Sequence, residues 1–309
     1  MTVTHSPGSS PGSSPGSPAG SSPGSPAGSS ASESVSNGKP AGASGFSTKL
    51  SVNVNKIATI RNARGKDNPD VVQTSLDIIR YGAQGITVHP RPDGRHIRRQ
   101  DVYDLKKAIQ VELNIEGYPS QDFLEMNEDV RPAQCTLVPD PPEALTSNAG
   151  FRVKSQAELL KIAARRLSAK NIRSSVFVDP ATMEDDEYRL LKEIGIDRVE
   201  LYTERFAERW TTASQPTGAN AVLPNDALAA LDVVASYRRA AELARAAGLG
   251  VNAGHDLSLD NLSALISHIP WIDEVSIGHA LICDALKFGL ETTVGLYLEA
   301  IQKSQSRLA

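Results

Sequence analysis

Eight short runs rich in β-branched and aliphatic residues recur along this chain, and between them lie segments whose apolar positions repeat at helical spacing. The runs are "LSVNVN" (50–55), "GITVH" (85–89), "ELNIE" (112–116), "CTLVP" (135–139), "SSVFVDP" (174–180), "RVELYT" (198–203), "GVNAGH" (250–255) and "EVSIGH" (274–279). The helical segments include "PDVVQTSLDIIRYG" (69–82), "RQDVYDLKKAI" (99–109), "SQDFLEMNEDV" (120–130), "SQAELLKIAARRLSAK" (155–170), "DDEYRLLKEIG" (185–195), "DALAALDVVASYRRAAELARAAG" (226–248), "LDNLSALISHI" (259–269) and "LKFGLETTVGLYLEAIQ" (286–302). Gly82, Gly195 and Gly248 stand where helix C-caps belong. Strands that alternate with helices are joined by crossovers and therefore pair in parallel. A (β/α)8 TIM barrel closes such a sheet without edges, and a doubly wound open sheet is the competing arrangement.

Residues 1–47 are built from repeats such as "SPGSSPGSP", which bury too little apolar area to offset the entropy of ordering. The expectation is a disordered, low-complexity Ser/Gly/Pro-rich tail over 1–47 and a single barrel domain over 48–309. With 309 residues, 40% of them hydrophobic, the chain is long enough for an ordinary buried core. A net charge of -4 argues against a nucleic-acid coat or a membrane-surface binder, both of which need a basic excess. No run of eighteen apolar residues suggests a transmembrane helix. The N-terminus lacks the basic start and apolar core of a secretory signal, and the first arginine is Arg61, which removes the transit-peptide pattern. Only two cysteines, Cys135 and Cys283, are present, so neither a disulfide scaffold nor a thiolate metal site is available. These features fit a cytoplasmic protein.

Strands of a parallel sheet are expected to be apolar, so polar residues at their ends need a reason. Asn53 and Asn55 close the first run, His89 the second and Glu116 the third. Glu200 falls in the sixth, and His255 and His279 close the last two. In a barrel all these ends meet at one mouth. Each residue alone has an ordinary structural reading; together they describe a site. Three of the six histidines end separate strands, and His96 follows in a strand-end loop. No His-x-His or His-Glu-x-x-His pair occurs, so a metal centre ranks below acid–base chemistry, and neither metal nor cofactor is expected.

Arginine forks match phosphate oxygens. Arg61 and Arg64 are expected in the first strand-to-helix loop. Arg91 and Arg95 flank the turn Pro92 to Gly94 in the second, Arg95 being read as a solvated charge. "NAGHD" and "SIGHAL" each place a glycine before a histidine where free backbone N–H groups can bind an anion. The connection "RFAERWTTASQPTGANAVLPND" (205–226) is long and is expected to cover the mouth. The residues thus describe a barrel enzyme that handles a phosphorylated small molecule by acid–base catalysis.

Taken in order, "VNVNKIATIRNARG", "GAQGITVHPRPDGRHI", "LNIEG", "TLVPD", "TSNAGF", "VELYTE", "VNAGHDL" and "SIGHALI" resemble the pyridoxine 5'-phosphate synthase family of vitamin B6 biosynthesis, from about Leu50 to Gln302. The resemblance implies a (β/α)8 barrel that condenses 3-amino-2-oxopropyl phosphate with 1-deoxy-D-xylulose 5-phosphate to pyridoxine 5'-phosphate, phosphate and water. It implies His89 and Glu116 as proton acceptors, His255 as proton donor and Glu200 as stabiliser of a charged transition state. Asn53, Gly278 and His279 match positions that hold the aminoketone phosphate; Arg64, Arg91, His96 and Thr146 match those that hold the pentulose phosphate. Two departures mark this chain: Asn55-Lys56 replaces a common Asp-His, altering the pentulose side, and Asp256 replaces the glycine after the donor histidine. A homo-oligomer, often an octamer in the family, is also implied. The alternatives are another phosphosugar barrel of the epimerase or aldolase kind, which needs only one phosphate site, and a non-catalytic barrel that binds phosphorylated metabolites.

Overall fold

The structure is a computed structural model and describes residues 47–139, 150–214 and 232–306. Residues 1–46 of the expected tail, and Thr146, lie outside the described residues. Eight strands, β1 (Lys49–Asn53), β2 (Gly85–Val88), β3 (Glu112–Gly117), β4 (Gln134–Leu137), β5 (Arg173–Val178), β6 (Arg198–Tyr202), β7 (Gly250–Gly254) and β8 (Glu274–Ile277), form a closed barrel in chain order. Every pairing is parallel, and β1 closes on β8 with Val52 opposite Ile277. The open-sheet alternative is therefore excluded.

The strands alternate strictly, in a way the expectation of apolar parallel strands did not include. Leu50, Val52, Ile86, Val88, Leu113, Ile115, Val199, Leu201, Val275 and Ile277 are fully buried and belong to one core shared with the helices. The intervening residues face the barrel axis and, apart from glycines and the Phe177 and Tyr202 rings, are polar. Ser51 bonds Thr87 (2.7 Å), Thr136 donates to Asn114 (3.0 Å), and Gln134 on β4 reaches across to Glu274 on β8 (3.2 Å). The apolar core is thus the annulus between sheet and helices, and the axis is a hydrogen-bonded polar column. Period-two alternation follows from strand geometry; here it separates the two environments.

Helices α1 (Asn55–Arg64), α2 (Val71–Arg80), α3 (Arg99–Ala108), α4 (Gln121–Val130), α5 (Val153–Ser168), α6 (Asp185–Glu193), α7 (Glu204–Ser214), α8 (Asp232–Ala246), α9 (Leu262–His268), α10 (His279–Phe288) and α11 (Leu290–Ser306) complete the described fold. Asp70 caps α2 by accepting from the Gln73 N–H, and Ser120 caps α4 by accepting from Phe123. Gly82, Gly195 and Gly248 take positive φ (113°, 97° and 79°), as helix-ending residues do. Among the described residues no helix is long and apolar enough to cross a membrane.

Three expectations are corrected. The segment "IRNARG" is helical, so Arg61 and Arg64 lie on α1 and not in a loop. Arg61 is buried and grips Asp101 on α3 with both guanidinium nitrogens (2.5 and 2.9 Å), while also donating to the His96 carbonyl (3.1 Å). The start of the expected cover, 205–214, is the body of α7, with Phe206 and Ala207 buried against the fold; 215–226 lie outside the described residues. The last helical segment breaks at Gly289, which separates α10 from α11.

Candidate active site

The C-terminal strand ends enclose a cavity of about 680 Å³. Its wall contains Asn53, Asn55, Lys56, His89, Arg91, His96 and Glu116 from the β1 to β3 side. Glu200, His255, Asp256, Gly278 and His279 come from the β6 to β8 side. Twelve side chains or backbone positions singled out in the sequence therefore meet in one place. Arg64 does not: it is exposed on α1, outside the cavity wall.

Local structure explains how each group is held. Asn55 is the first residue of α1, not the last of the strand, and its Oδ1 accepts from the His89 backbone N–H (2.9 Å), tying the exit of β2 to that of β1. Asn53 accepts from the Asn55 N–H through Oδ1 (3.0 Å) and donates through Nδ2 to Glu116 Oε2 (3.3 Å). The His89 Nδ1 stands 3.9 Å from the same carboxyl oxygen, with the two side chains 15% and 13% exposed. Glu200 is wholly enclosed, with its Oε2 3.3 Å from the Thr136 hydroxyl oxygen. It fits because Gly254 opposite has no Cβ, which would run into Glu200 Oε1. Gly278 likewise lies against Asn53, where a Cβ would come within 3.0 Å of the Asn53 Cβ.

Charge states follow from these surroundings. Burial, reinforced by the cations of Arg91 and by His96, His255 and Arg95, pushes the His89 imidazole down to about 3, so it is neutral with a lone pair available. Burial, with the Glu274 carboxyl below, pushes Glu116 up to about 8. Burial and the neighbouring Glu116 and Glu274 raise Glu200 well above the ordinary carboxyl range, against the opposing hydrogen bond from Thr136. Burial and Arg91 bring His96 down to about 4. Its Nδ1 accepts from the Ile97 N–H (2.9 Å), which leaves the proton on Nε2 and fixes a neutral tautomer. Both shifts favour the uncharged forms of the pair, an imidazole with one free ring nitrogen beside a protonated carboxyl.

His255 follows β7 at φ 77° and Asp256 follows at φ 54°. Left-handed backbone explains the position of Asp256: aspartate is one of the few non-glycine residues that visit this region. Its carbonyl accepts from Asn261 Nδ2 (3.0 Å). Gly278 precedes α10, and the first N–H groups of that helix have no intrahelical partner, as at any helix start.

The wall also contains residues that the sequence reading passed over. Arg95, read as a solvated charge, is indeed exposed and pairs with Asp93 (2.5 Å), but it also lines the cavity. Tyr202, Glu204 and Ser276 line it as well. Strand parity was the available signal for Tyr202, two residues after Glu200 on β6. Among the described residues no group of three or more His, Cys, Asp or Glu side chains is placed to hold a metal ion.

Residues 50–303 match the family described as "Pyridoxal phosphate biosynthesis protein PdxJ". The chain is 49% identical over 256 residues to the pyridoxine 5'-phosphate synthase of Cytophaga hutchinsonii, covering 83% of this chain and 100% of that one. It is 50% identical over 257 residues to the pyridoxine 5'-phosphate synthase of Bacteroides thetaiotaomicron, covering 82% and 100%. The fold is similar to that of 3-keto-L-gulonate-6-phosphate decarboxylase from Vibrio cholerae, with a TM-score of 0.54 at 10% identity, covering 83% of this chain and 98% of that one. That last likeness concerns the barrel alone. With the match spanning every strand of the barrel but the first residue of β1, and with half of all aligned positions identical in full-length relatives, the chain belongs to the PdxJ family of pyridoxal phosphate biosynthesis proteins.

Proposed function

We propose that this chain is a pyridoxine 5'-phosphate synthase, which condenses 3-amino-2-oxopropyl phosphate with 1-deoxy-D-xylulose 5-phosphate to pyridoxine 5'-phosphate, phosphate and water. The observation that carries the reading is the His89 and Glu116 pair, 3.9 Å apart at the floor of a cavity with cations on one side and a helix start on the other, in a chain of this family. Imine formation, loss of phosphate, ring closure and aromatisation are proton transfers on carbonyl, enamine and hydroxyl groups, so the reaction asks for several acids and bases held in register.

His89 is the acceptor at rest, since burial and Arg91 keep it neutral. Glu116 gives up its own proton first and then accepts. His255 is the donor, and Glu200 stabilises the charge that develops. Asn53, Gly278 and His279 hold the aminoketone phosphate at the start of α10, where unpaired backbone N–H groups favour an anion. Lys56, Arg91 and His96 hold the pentulose phosphate from the opposite side, with Asn55 fixing the turn behind His89. Thr146 belongs to that second site in the same reading, whereas Arg64, exposed on α1 outside the cavity wall, is not counted in it. Asp256 presents its backbone to the substrate from the left-handed turn after β7.

A homo-oligomer and a cytoplasmic location accompany this reading. Ile60 on α1 and Leu286 and Phe288 on the adjoining α10 are exposed apolar side chains, Leu286 at 80%, and Arg64 shares α1 with them. Sedimentation of the purified chain tests assembly, and cell fractionation tests location. The reaction is tested by mixing the protein with both substrates and following pyridoxine 5'-phosphate and phosphate, with and without a chelator. Product in both conditions is expected. Binding of either phosphate ester without product would move the reading to another phosphosugar reaction.

A further inference from the structure

We propose that Phe177 and Tyr202 are positioning residues for His255: two ring walls that fix the direction in which its imidazole enters the cavity. The proposal rests on the assignment of His255 as proton donor made above.

His255 begins from an unfavourable backbone. It and Asp256 are consecutive non-glycine residues at positive φ (77° and 54°), a conformation that persists only where neighbours impose it. The neighbours are present. The Thr203 N–H donates to the Gly254 carbonyl (3.0 Å), and the Thr203 hydroxyl reaches the carbonyls of both Gly254 (2.7 Å) and His255. Asn261 holds the Asp256 carbonyl (3.0 Å). The main chain of the turn is therefore clamped, but a clamped main chain does not set the side-chain torsions. His255 is exposed at the mouth, so the annular core does not set them either.

Two rings bear directly on the imidazole. The His255 imidazole lies 5.3 Å from the Phe177 ring and 5.2 Å from the Tyr202 ring, and those two rings are 5.2 Å apart, closing a triangle. The interplanar angles of 59°, 81° and 54° are those of tilted and edge-on contacts, the arrangements that aromatic pairs prefer. Phe177 and Tyr202 are buried and, with Val138, form a small cluster separate from the main core. They continue the inward-facing series of β5 and β6, whose earlier members Arg173 and Glu200 carry polar side chains within the hydrogen-bonded column. The cluster stands apart from the annular core, and two of its three members face the His255 ring. Phe177 is not among the described residues that line the cavity, whereas the His255 ring it contacts is, so its route to an effect on turnover runs through that ring. Tyr202 is further held at its carbonyl by the Tyr237 hydroxyl from α8.

The test compares Phe177→Leu, Tyr202→Leu, Tyr202→Phe and His255→Gln, with kcat and both KM values measured for each. An imidazole misplaced by an ångström costs on the order of 10–100-fold in rate. Phe177→Leu and Tyr202→Leu are expected to lose kcat on that scale with both KM values little changed, and Tyr202→Phe, which keeps the ring, to recover most of the loss. Combined with His255→Gln, Phe177→Leu is expected to add nothing further, because the residue it acts through is gone. A crystal structure of Phe177→Leu is expected to show the His255 ring turned or split between rotamers. Wild-type kcat in both leucine variants, equal losses in the presence and absence of His255, or an unmoved His255 ring would each overturn the proposal while leaving the synthase reading intact. Unimpaired turnover in His255→Gln would instead remove the donor assignment on which the proposal stands. Should Phe177→Leu fail to fold, Tyr202→Leu on the neighbouring strand and the milder Phe177→Met carry the same comparison.

Discussion

At the scale of single residues, the site works through environment more than through identity. Glu116 is an ordinary carboxyl made a poor acid by burial above Glu274, and Glu200 by burial beside Glu116 and Glu274. His89 is an ordinary imidazole made a poor cation by burial beside Arg91. Glu116→Gln keeps shape but cannot exchange the proton, and is expected to lower kcat by about 100-fold or more with phosphate binding and circular dichroism unchanged. Because Glu116 accepts only after losing its proton, kcat/KM of the wild type is expected to rise with pH toward a plateau above about 8. Initial rates from pH 6 to 9.5 at constant ionic strength check this, and a profile falling through that range would reverse the role. Stability carries the opposite sign. A carboxyl raised from 4.5 to about 8 favours the folded state below 4.5, and that contribution is lost as pH rises to 8. Melting temperatures should therefore show Glu116→Gln gaining on the wild type between pH 5 and pH 8.5. Gly254→Ala would drive a Cβ into the Glu200 carboxyl, and a loss of kcat with a lowered melting temperature is expected.

At the scale of elements, α1 and the loop after β2 form one unit. Arg61 joins α1 to α3 through Asp101 with both side chains nearly enclosed. Removing one partner of such a pair leaves a buried charge, so Arg61→Ala is expected to cost about 3 kcal/mol, read by denaturant unfolding, with both KM values unchanged in the folded fraction. A phosphate ligand would give the reverse pattern, raised KM and unaltered stability. The helix was illegible in the sequence because it has little apolar stripe, burying only Ile57, Ala58 and Arg61, and no side-chain N-cap. Its formation depends on the barrel it packs against. The start of α7 did carry a signal in Phe206, Ala207 and Trp210, but the Pro and Gly residues that follow it draw the eye to a loop.

For the whole molecule, two concentric environments organise the protein: an apolar annulus that stabilises it and a polar axis that opens into the cavity. Residues 1–46 are read as a tail from their Ser/Gly/Pro repeats, so on deleting them kcat, KM and melting temperature are expected to stay near those of the full chain; a large loss of activity would give the segment a role beyond a tail. The sequence by itself determined the eight strand and helix alternations, hence a parallel closed sheet, because periodicity and crossover length are local properties of the chain. It also determined that His89, Glu116, Glu200, His255 and His279 converge, because a barrel brings every strand end to one face. Only the tertiary structure decided which polar residues serve and how. It turned Arg61 inward to Asp101 and left Arg64 outside the cavity, brought Arg95 to the cavity wall, set the charge states of His89 and Glu116, and backed His255 with two aromatic rings. Those outcomes depend on distances between residues far apart in the chain and on the solvent each loses, quantities that no local pattern of amino acids encodes.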